Sequence, residues 1–445
     1  MNFNAFKAAV IAKCETLGIT EYELYYQAAE STSISAFQHE INQFTSSIEG
    51  GVCFRCIVGG KMGYASTEEL SEAQAAAIVE RAADNASVLE AEEPVFLGEG
   101  GKTYVQLPEE DNALPATDAL IAKVLATQEQ LYAANPAVID GCETNGISER
   151  TETAIFNSKG LDLHSESTMT GLVMVALVTD GKEMANDYMI KLGKLDGMDT
   201  EALTKEVAEN ALRKLGGDVA PTGAYPVVFD PHAMSSLLGT FSSIFSSESA
   251  QKGLSKLADK EGAEIAASCL TLMDDPFCDL SPRKKTFDAE GSPTYTKKVI
   301  ENGVLNTLLY NLKTAAVAGK ETTGNAAKAG YNASVAVRPC TMYVAPGEIT
   351  EEELLKTAGN GVYINSLGGL HAGADPISGD FSLQSSGFMI ENGEKTTAVK
   401  SFTVAGNFYD LLKNIRCVAT NLELPGMGSF GSPSILVDGL SIAGK

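Results

Sequence analysis

The sequence predicts an α+β protein in which two N-terminal units of helices and antiparallel strands precede a mostly antiparallel, barrel-like C-terminal domain. Apolar residues recur at helical spacing in a few separate segments, whereas much of the third part of the chain alternates apolar and polar residues with period two, as half-buried strands do. The string Ile-Glu-Asn-Gly occurs twice, at residues 300–303 and 390–393. Asn-Gly favours two-residue type I′ hairpin loops, so antiparallel pairing is expected at both places.

Two stretches rich in turn-forming residues divide the 445 residues into three parts. Residues 90–117 are acidic and contain three prolines, and residues 216–226 combine glycines with Pro221 and Pro226. Such compositions are typical of loops and boundaries. We therefore expect units at residues 1–110 and 111–220 and a C-terminal domain at residues 221–445.

The two N-terminal units show the same order of elements. In the first, apolar spacing predicts a helix over residues 3–17, strands that include residues 51–58 and 63–66, and a second helix over residues 68–89. The second unit has a helix around residues 120–132, strands beside turns at 157–160 and 180–181, and a helix over residues 200–215. We expect the units to be structural repeats, although their sequences are not obviously similar.

The third part begins with a strand at residues 226–229 and continues with a helix. Six apolar residues mark that helix at helical spacing: Met234, Leu237, Leu238, Phe241, Ile244 and Phe245. Further along, the strand that ends near Ile390 is expected to turn at Asn392-Gly393 and pair with residues 398–404. The rest of the C-terminal domain is predicted to consist mostly of strands and turns.

Composition argues against direct nucleic-acid binding. The chain has 33 basic and 58 acidic residues, a net charge of −25. Binding to a phosphate backbone depends chiefly on Lys and Arg, which are in deficit here. The N-terminal residues lack a signal-peptide pattern, the longest notable apolar run (171–178) is far too short to span a membrane, and the eight cysteines are scattered. We expect a cytoplasmic protein with reduced thiols and no membrane contact.

Few residues form a recognisable catalytic motif. The four histidines are far apart in sequence, and His39-Glu40 is not followed by the second histidine of a zinc-binding helix. Cys53 and Cys56 lie on a predicted strand, where residues three apart point to opposite faces, which favours a structural role. No phosphate-binding glycine loop or Gly-x-Ser-x-Gly nucleophile elbow is present.

Two acidic clusters remain as candidates, Asp274-Asp275 and Asp288-Ala289-Glu290. Paired carboxylates can act as acid and base if burial separates their pKa values. Acidic residues beside Pro and Gly more often cap turns, and we favour that role.

Several strings in the third part occur in an order that resembles the TldD/PmbA family, once called modulators of DNA gyrase. They are Val228-Phe229-Asp230-Pro231, Asp274-Asp275-Pro276, Phe287-Asp288-Ala289-Glu290-Gly291, Gly303-Val304-Leu305, Thr323-Gly324-Asn325, Ser378-Gly379-Asp380-Phe381-Ser382, Glu391-Asn392-Gly393 and Ala405-Gly406-Asn407. The resemblance implies membership of a cytoplasmic peptidase family.

The resemblance also implies which kind of subunit this is. TldD-type subunits carry zinc on a His-Glu-x-x-x-His helix and a C-terminal cysteine, and the three motif positions correspond here to Gly239, Thr240 and Ile244. Residues 234–271 contain no histidine, and residues 425–433 contain no cysteine. The chain therefore resembles the TldE/PmbA type, with no metal or catalytic residue of its own and with zinc expected in a partner.

Such a subunit is expected to pair with a zinc-bearing TldD-like chain, close the chamber and hold extended peptide for proteolysis. Candidate residues for the peptide channel lie in one turn-rich segment: His371, Asp375, Ser378, Asp380 and Ser382. Two alternatives remain open. One is a homodimeric peptide-binding or scaffolding protein without protease activity, and the other is a metal-independent hydrolase that uses the Ser/His/Asp-rich segment near His371.

Overall fold

The N-terminal half is organised around one six-stranded antiparallel sheet. The computed structural model describes residues 1–90, 94–108 and 113–445, so the predicted boundary between residues 110 and 111 lies outside the described residues. The first unit comprises α1 (Phe3–Leu17), β1 (Tyr22–Phe37), β2 (Glu40–Val58), β3 (Lys61–Thr67) and α2 (Glu72–Val88). The second comprises α3 (Thr117–Ala133), β4 (Glu143–Asn157), β5 (Asp162–Thr179), β6 (Met184–Leu192), a 3₁₀ turn (Leu195–Gly197) and α4 (Thr200–Arg213).

The strand order of this sheet is the one expected of a repeat. It runs β3-β2-β1-β4-β5-β6, so each unit contributes a three-strand meander flanked by its own two helices. The first strands of the two meanders pair antiparallel at the centre, where Glu30 is opposite Arg150. The units therefore share one sheet, and neither has a separate one.

The two faces of the sheet have different partners. Phe54 and Cys56 of β2 pack with Phe6 and Val10 of α1. On the opposite face, Cys53 packs in a cluster that includes loop residues of the C-terminal domain. The two cysteines thus point in opposite directions, as predicted from their spacing.

Capping residues explain where the helices begin and end. Asn2 caps α1 by accepting a hydrogen bond from the backbone N–H of Ala5, and Gly18 ends the helix in the left-handed conformation with φ 67°. Helix α2 begins at Glu72, four residues later than predicted, because Ser71 caps it. Local hydrogen bonding therefore overrides the apolar periodicity that suggested the earlier start.

The C-terminal domain contains a closed barrel of five strands. Its elements up to the second Asn-Gly hairpin are β7 (Asp218–Val219), β8 (Gly223–Phe229), α5 (Pro231–Phe241), a 3₁₀ turn (Ser242–Phe245), α6 (Ser247–Gln251), β9 (Leu272–Asp274), β10 (Lys297–Glu301), β11 (Val304–Leu305), α7 (Leu312–Ala318), β12 (Ala326–Ala327), β13 (Ala336–Val337), β14 (Met342–Val344), α8 (Glu351–Ala358), β15 (Gly361–Gly368), α9 (Leu370–Gly373) and β16 (Asp380–Glu391). The remaining elements are β17 (Glu394–Asn407), α10 (Phe408–Lys413), β18 (Ile415–Val418), β19 (Phe430–Gly431) and β20 (Ile435–Ala443).

Barrel closure follows from the pairing of β20 with both β8 and β17. The ring continues through β15 and β16, and only the β8–β15 pair is parallel. A second, five-stranded sheet has the order β11-β10-β9-β14-β19. The mostly antiparallel, barrel-like domain predicted from sequence is thereby confirmed.

Both predicted Asn-Gly hairpins are present. Asn302 and Gly303 have φ 49° and 85°, and Asn392 and Gly393 have φ 53° and 82°, as type I′ turns require. After the second turn β16 pairs with β17 as predicted, and a shift in register between Ile390 and Phe388 places Phe388 opposite Ala398.

The described part of the predicted first linker packs against both halves of the protein. Asn157 donates a hydrogen bond to the carbonyl of Gly98 (2.8 Å), and the hydroxyl of Tyr104 donates to the carbonyl of Gly291 (2.8 Å). Residues 94–108 therefore connect the shared sheet with the C-terminal domain. Among the described residues, no helix has the length and apolarity needed to cross a membrane.

Candidate functional site

A cleft of about 1280 Å³ lies where the second N-terminal unit meets the barrel. One wall is formed by β6 and by α4 with the residue that follows it, Lys214. The facing wall comes from α5, from β15 and from a C-terminal segment around residues 421–430. A large cleft lined by several elements is the default location for a ligand.

Helix α5 presents a face of small and polar residues to the cleft. These residues recur at helical spacing: His232, Ser235, Ser236, Gly239 and Thr240. The opposite face is apolar and buried in the barrel core: Ala233, Met234, Leu237, Leu238 and Phe241. The apolar face anchors the helix, and the short side chains on the other face leave room in the cleft.

Asp230 fixes the beginning of α5. Its carboxylate accepts a hydrogen bond from the N–H of Ala233 (2.7 Å), and its own N–H donates to the carbonyl of Ile364 in β15 (3.0 Å). Burial raises the pKa of Asp230 to about 7. His232 lies 3.5 Å from Glu423, whose carboxylate raises the pKa of the imidazole. The cleft thus contains one carboxyl group, that of Asp230, whose pKa lies near neutral pH.

A second polar group lies on the barrel wall of the cleft. The hydroxyl of Tyr363 donates to Glu351 (2.6 Å), and the ammonium of Lys395 is 3.1 Å from the same carboxylate and 3.6 Å from the Tyr363 ring centroid. Burial raises the pKa of Tyr363 far above its ordinary value, so the hydroxyl stays protonated. The charges of Glu351 and Lys395 therefore compensate each other.

Two polar atoms at the cleft have no hydrogen-bond partner in the described part of the protein. They are Ser235 Oγ on α5 and Asn365 Oδ1 on β15. Asn365 occupies a bulge, because the pairing register between β15 and β16 shifts between Ile364 and Ser366. Bulges commonly redirect a side chain beside a functional site.

The positions that the resemblance assigns to zinc ligands do not fit a metal. Gly239 lines the cleft but has no side chain, and a Cβ there would lie 3.2 Å from the Phe430 ring. The hydroxyl of Thr240 donates to the carbonyl of Ser236 (2.8 Å), and Ile244 is buried in the apolar core. Within residues 1–90, 94–108 and 113–445, no group of three or more His, Cys, Asp or Glu residues could hold a metal ion.

The five predicted channel residues do not line this cleft. They extend from α9 to the start of β16, where the backbone carbonyl of Ser378 accepts a hydrogen bond from Lys256 (2.7 Å) and Asp380 accepts one from Asn407 (2.7 Å). Asp375 accepts from the N–H of Ile377 (2.8 Å), and Ser382 is exposed on β16. His371 is exposed and makes no side-chain hydrogen bond to any described residue. Their role in a peptide channel stays a prediction.

The acidic clusters lie elsewhere and hold the fold together. Buried Asp274 accepts hydrogen bonds from Lys297 (3.0 Å) and Asn325 (2.7 Å). Asp288 accepts backbone hydrogen bonds inside its loop, and burial raises the pKa of Asp288 to about 6 and that of Glu290 to about 7. Neither cluster lines the cleft.

Sequence reasoning missed the cleft face of α5. The signal was present, since the same periodicity that placed the apolar residues leaves Ser235, Ser236, Gly239 and Thr240 on the other face. Asn365 had no comparable signal, because a bulge depends on how two strands pair. The sequence could therefore have indicated the α5 residues, but not Asn365.

Comparison with known proteins identifies relatives along the whole chain. Models of the PmbA/TldA metallopeptidase match domain 1 at residues 22–86, the central domain at 110–215 and the C-terminal domain at 222–444. Metalloprotease PmbA of Escherichia coli O157:H7 is 25% identical, and the alignment covers 93% of this chain and 90% of that protein.

Two solved structures share the fold. One, from Thermotoga maritima and described as a modulator of a DNA gyrase, is 30% identical with a TM-score of 0.89, covering 99% of this chain and 100% of that one. The other is TldE from Thermococcus kodakarensis, which is 23% identical with a TM-score of 0.88 and the same coverage. The second likeness shows the fold alone.

Proposed function

Because the chain belongs to the PmbA/TldD metallopeptidase family, we propose that it is the metal-free, TldE/PmbA-type subunit of a two-chain metallopeptidase. Its partner is a zinc-bearing TldD-like chain, and the pair acts in the cytoplasm on peptides. This chain closes the chamber and holds extended substrate, while the zinc of the partner supplies the hydrolytic chemistry.

Two features together support the proposal: the chain has an open cleft, and the described residues that line it do not include a set of zinc ligands. Helix α5 borders a cleft of about 1280 Å³ with Gly239 and Thr240, the positions to which the family resemblance assigns zinc ligands, and neither supplies a His, Cys or carboxylate side chain. Zinc sites are built from Cys, His and carboxylate ligands. A peptidase relative that keeps the cleft and lacks these ligands is suited to binding substrate, with hydrolysis left to another chain.

Reconstitution of the pair tests the proposal. The chain is expressed alone and together with a His-Glu-x-x-x-His relative from the same genome, and cleavage of a casein digest is followed by mass spectrometry. We expect cleavage only when both chains are present, and loss of cleavage when the glutamate of the partner's motif is changed to Gln. Cleavage by this chain alone, insensitive to chelators, would instead support the metal-independent hydrolase.

The oligomeric state distinguishes the proposed two-chain peptidase from the remaining alternative, a homodimeric peptide-binding or scaffolding protein. Size-exclusion chromatography with light scattering should show a complex of both chains when they are mixed. A stable homodimer that binds peptide and ignores the zinc-bearing relative would identify a scaffolding or peptide-binding protein, and the proposed role would then be wrong.

A further inference from the structure

A second, smaller pocket opens beside the cleft. Its volume is about 260 Å³, and it is bordered by β6, by Lys214 after α4, and by β15, β16 and β17 of the barrel. We propose that this pocket binds a carboxylate of the peptide, either its C-terminus or an Asp or Glu side chain. The inference rests on the proposed function, because it names a chemical group by which the chain would select and orient its substrate.

The charged residues that border the pocket are basic. They are Lys214 and Lys400, and none of the described residues that line it is Asp or Glu. Lys214 lies 3.0 Å from Asp187 and donates to the carbonyl of Asn186, and Lys400 lies 2.6 Å from Glu183. Neither acid borders the pocket, so each ion pair presents its positive end there. Each ammonium has three N–H donors, so both keep a donor for a ligand.

Two serine hydroxyls add further donors. Ser366 of β15 and Ser386 of β16 are directly opposite each other, and both line the pocket. Directly opposite residues of neighbouring strands lie on the same face of the sheet, so the two side chains are neighbours. Neither hydroxyl is bonded to a described residue, and both serines are partly exposed. A carboxylate accepts about four hydrogen bonds, which two ammonium and two hydroxyl groups can supply.

The larger cleft has the opposite charge balance. Five residues with carboxyl groups line it: Asp187, Glu206, Asp230, Glu351 and Glu423. The Lys and Arg residues that line it are fewer: Arg213, Lys214 and Lys395. The electrostatic potential should therefore become more positive from the cleft toward the pocket, and this gradient favours a carboxylate in the pocket and cationic groups in the cleft. A bound peptide would thus have a preferred direction.

Isothermal titration calorimetry with paired peptides tests the proposal. The first pair is an acetylated peptide of alternating Ala and Thr with either a free or an amidated C-terminus. The second pair is amidated and has Glu or Gln at its centre. We expect the carboxylate form of at least one pair to bind about tenfold more tightly, as charge-assisted hydrogen bonds do. The pair that shows the difference identifies the source of the carboxylate. Added salt should reduce the difference.

Variants at the pocket assign the preference to its lysines. Lys400→Met should lose most of it, and Lys400→Arg should retain much of it. Lys191→Met is the control, because Lys191 is exposed on β6 and lines neither cavity. Glu183→Gln removes the counter-charge of Lys400, and its amide oxygen can still accept from the N–H of Gly216. This variant should bind the carboxylate form about threefold more tightly and the neutral form unchanged, which a purely structural role would not produce.

Four results would overturn the pocket's role. They are no saturable binding to the wild type, equal affinities within both peptide pairs, an undiminished preference in Lys400→Met, and an equal loss in Lys191→Met.

The proposed function fails by a different result. If the two chains together cleave peptides but no carboxylate preference exists, the pocket's role is wrong and the proposed function stands. If this chain cleaves peptides alone and the preference depends on Lys400, the pocket's role stands and the metal-free role is wrong.

Discussion

At the scale of single residues, burial decides what the polar groups do. Arg55 and Glu23 form an ion pair with an N···O distance of 2.7 Å on the sheet face that meets the C-terminal domain, and their side chains are 5% and 2% exposed. Asn157 also donates to Glu23. The pair therefore joins β1, β2 and β4 at a point where water cannot replace a missing partner.

Arg55→Met should destabilise the protein strongly. The substitution leaves the carboxylate of Glu23 buried without its counter-charge, which typically costs about 3 kcal/mol or more. Arg150→Met is the matched control, because its ion pair with Glu30 is about half exposed and such pairs contribute about 1 kcal/mol at most. Urea unfolding followed by circular dichroism compares the two. Equal losses would show that the Arg55 pair is not protected from solvent.

Asp230 should make stability depend on pH in an unusual direction for a carboxylate. Burial raises its pKa from 3.8 to about 7, so the folded state binds the proton more tightly than the unfolded state does. The associated stability is fully present below about pH 4 and is lost as the pH rises toward 7. The free energy of unfolding attributable to this group should fall by up to about 1.4 kcal/mol per pH unit in that window.

Asp230→Asn isolates this contribution. Asn also caps helices well, so the variant keeps the hydrogen bond to Ala233 and removes the titration. Urea unfolding at pH 5, 6 and 7 should show a flatter dependence on pH than in the wild type. Asp375→Asn serves as control, because backbone hydrogen bonds lower the pKa of that exposed carboxylate below this window. An unchanged slope in Asp230→Asn would contradict the assignment.

At the scale of elements, local signals in the sequence predicted the helices and hairpins well. Helix α1 has the predicted bounds, and both Asn-Gly turns form because those residues adopt positive φ readily. Two helix ends differ from the predicted ones. Helix α2 begins later because Ser71 caps it, and α5 gives way to a 3₁₀ turn after Phe241. These events depend on single hydrogen bonds that periodicity does not encode.

Gly393 should be more sensitive to substitution than Gly181, a turn glycine with a similar backbone conformation. Its φ of 82° disfavours a side chain, and a Cβ would lie 2.8 Å from the Cα of Lys356 in α8. Gly181 has a similar φ of 84° but open space around it. Gly181→Ala should therefore cost about 1 kcal/mol for the backbone conformation alone, and Gly393→Ala clearly more, as measured by thermal unfolding. Equal costs would show that α8 adjusts freely.

At the scale of the whole molecule, the sequence predicted the kinds of unit but not how they combine. The two N-terminal units share one sheet because β1 pairs with β4, whose residues are far away in sequence. Long-range pairing of this kind leaves no local pattern, so the cleft between β6, α4 and the barrel could not be derived either. The predicted channel near His371 followed local composition, whereas the cleft arises from packing between distant segments.

We propose that this family member holds peptide and leaves the metal to another chain. The zinc content of the chain tests this proposal: the chain is purified alone, incubated with zinc, passed through a desalting column and measured by inductively coupled plasma mass spectrometry. We expect far less than one zinc per chain, since Gly239 and Thr240 supply no ligand of the usual kind. One tightly held zinc per chain would contradict it.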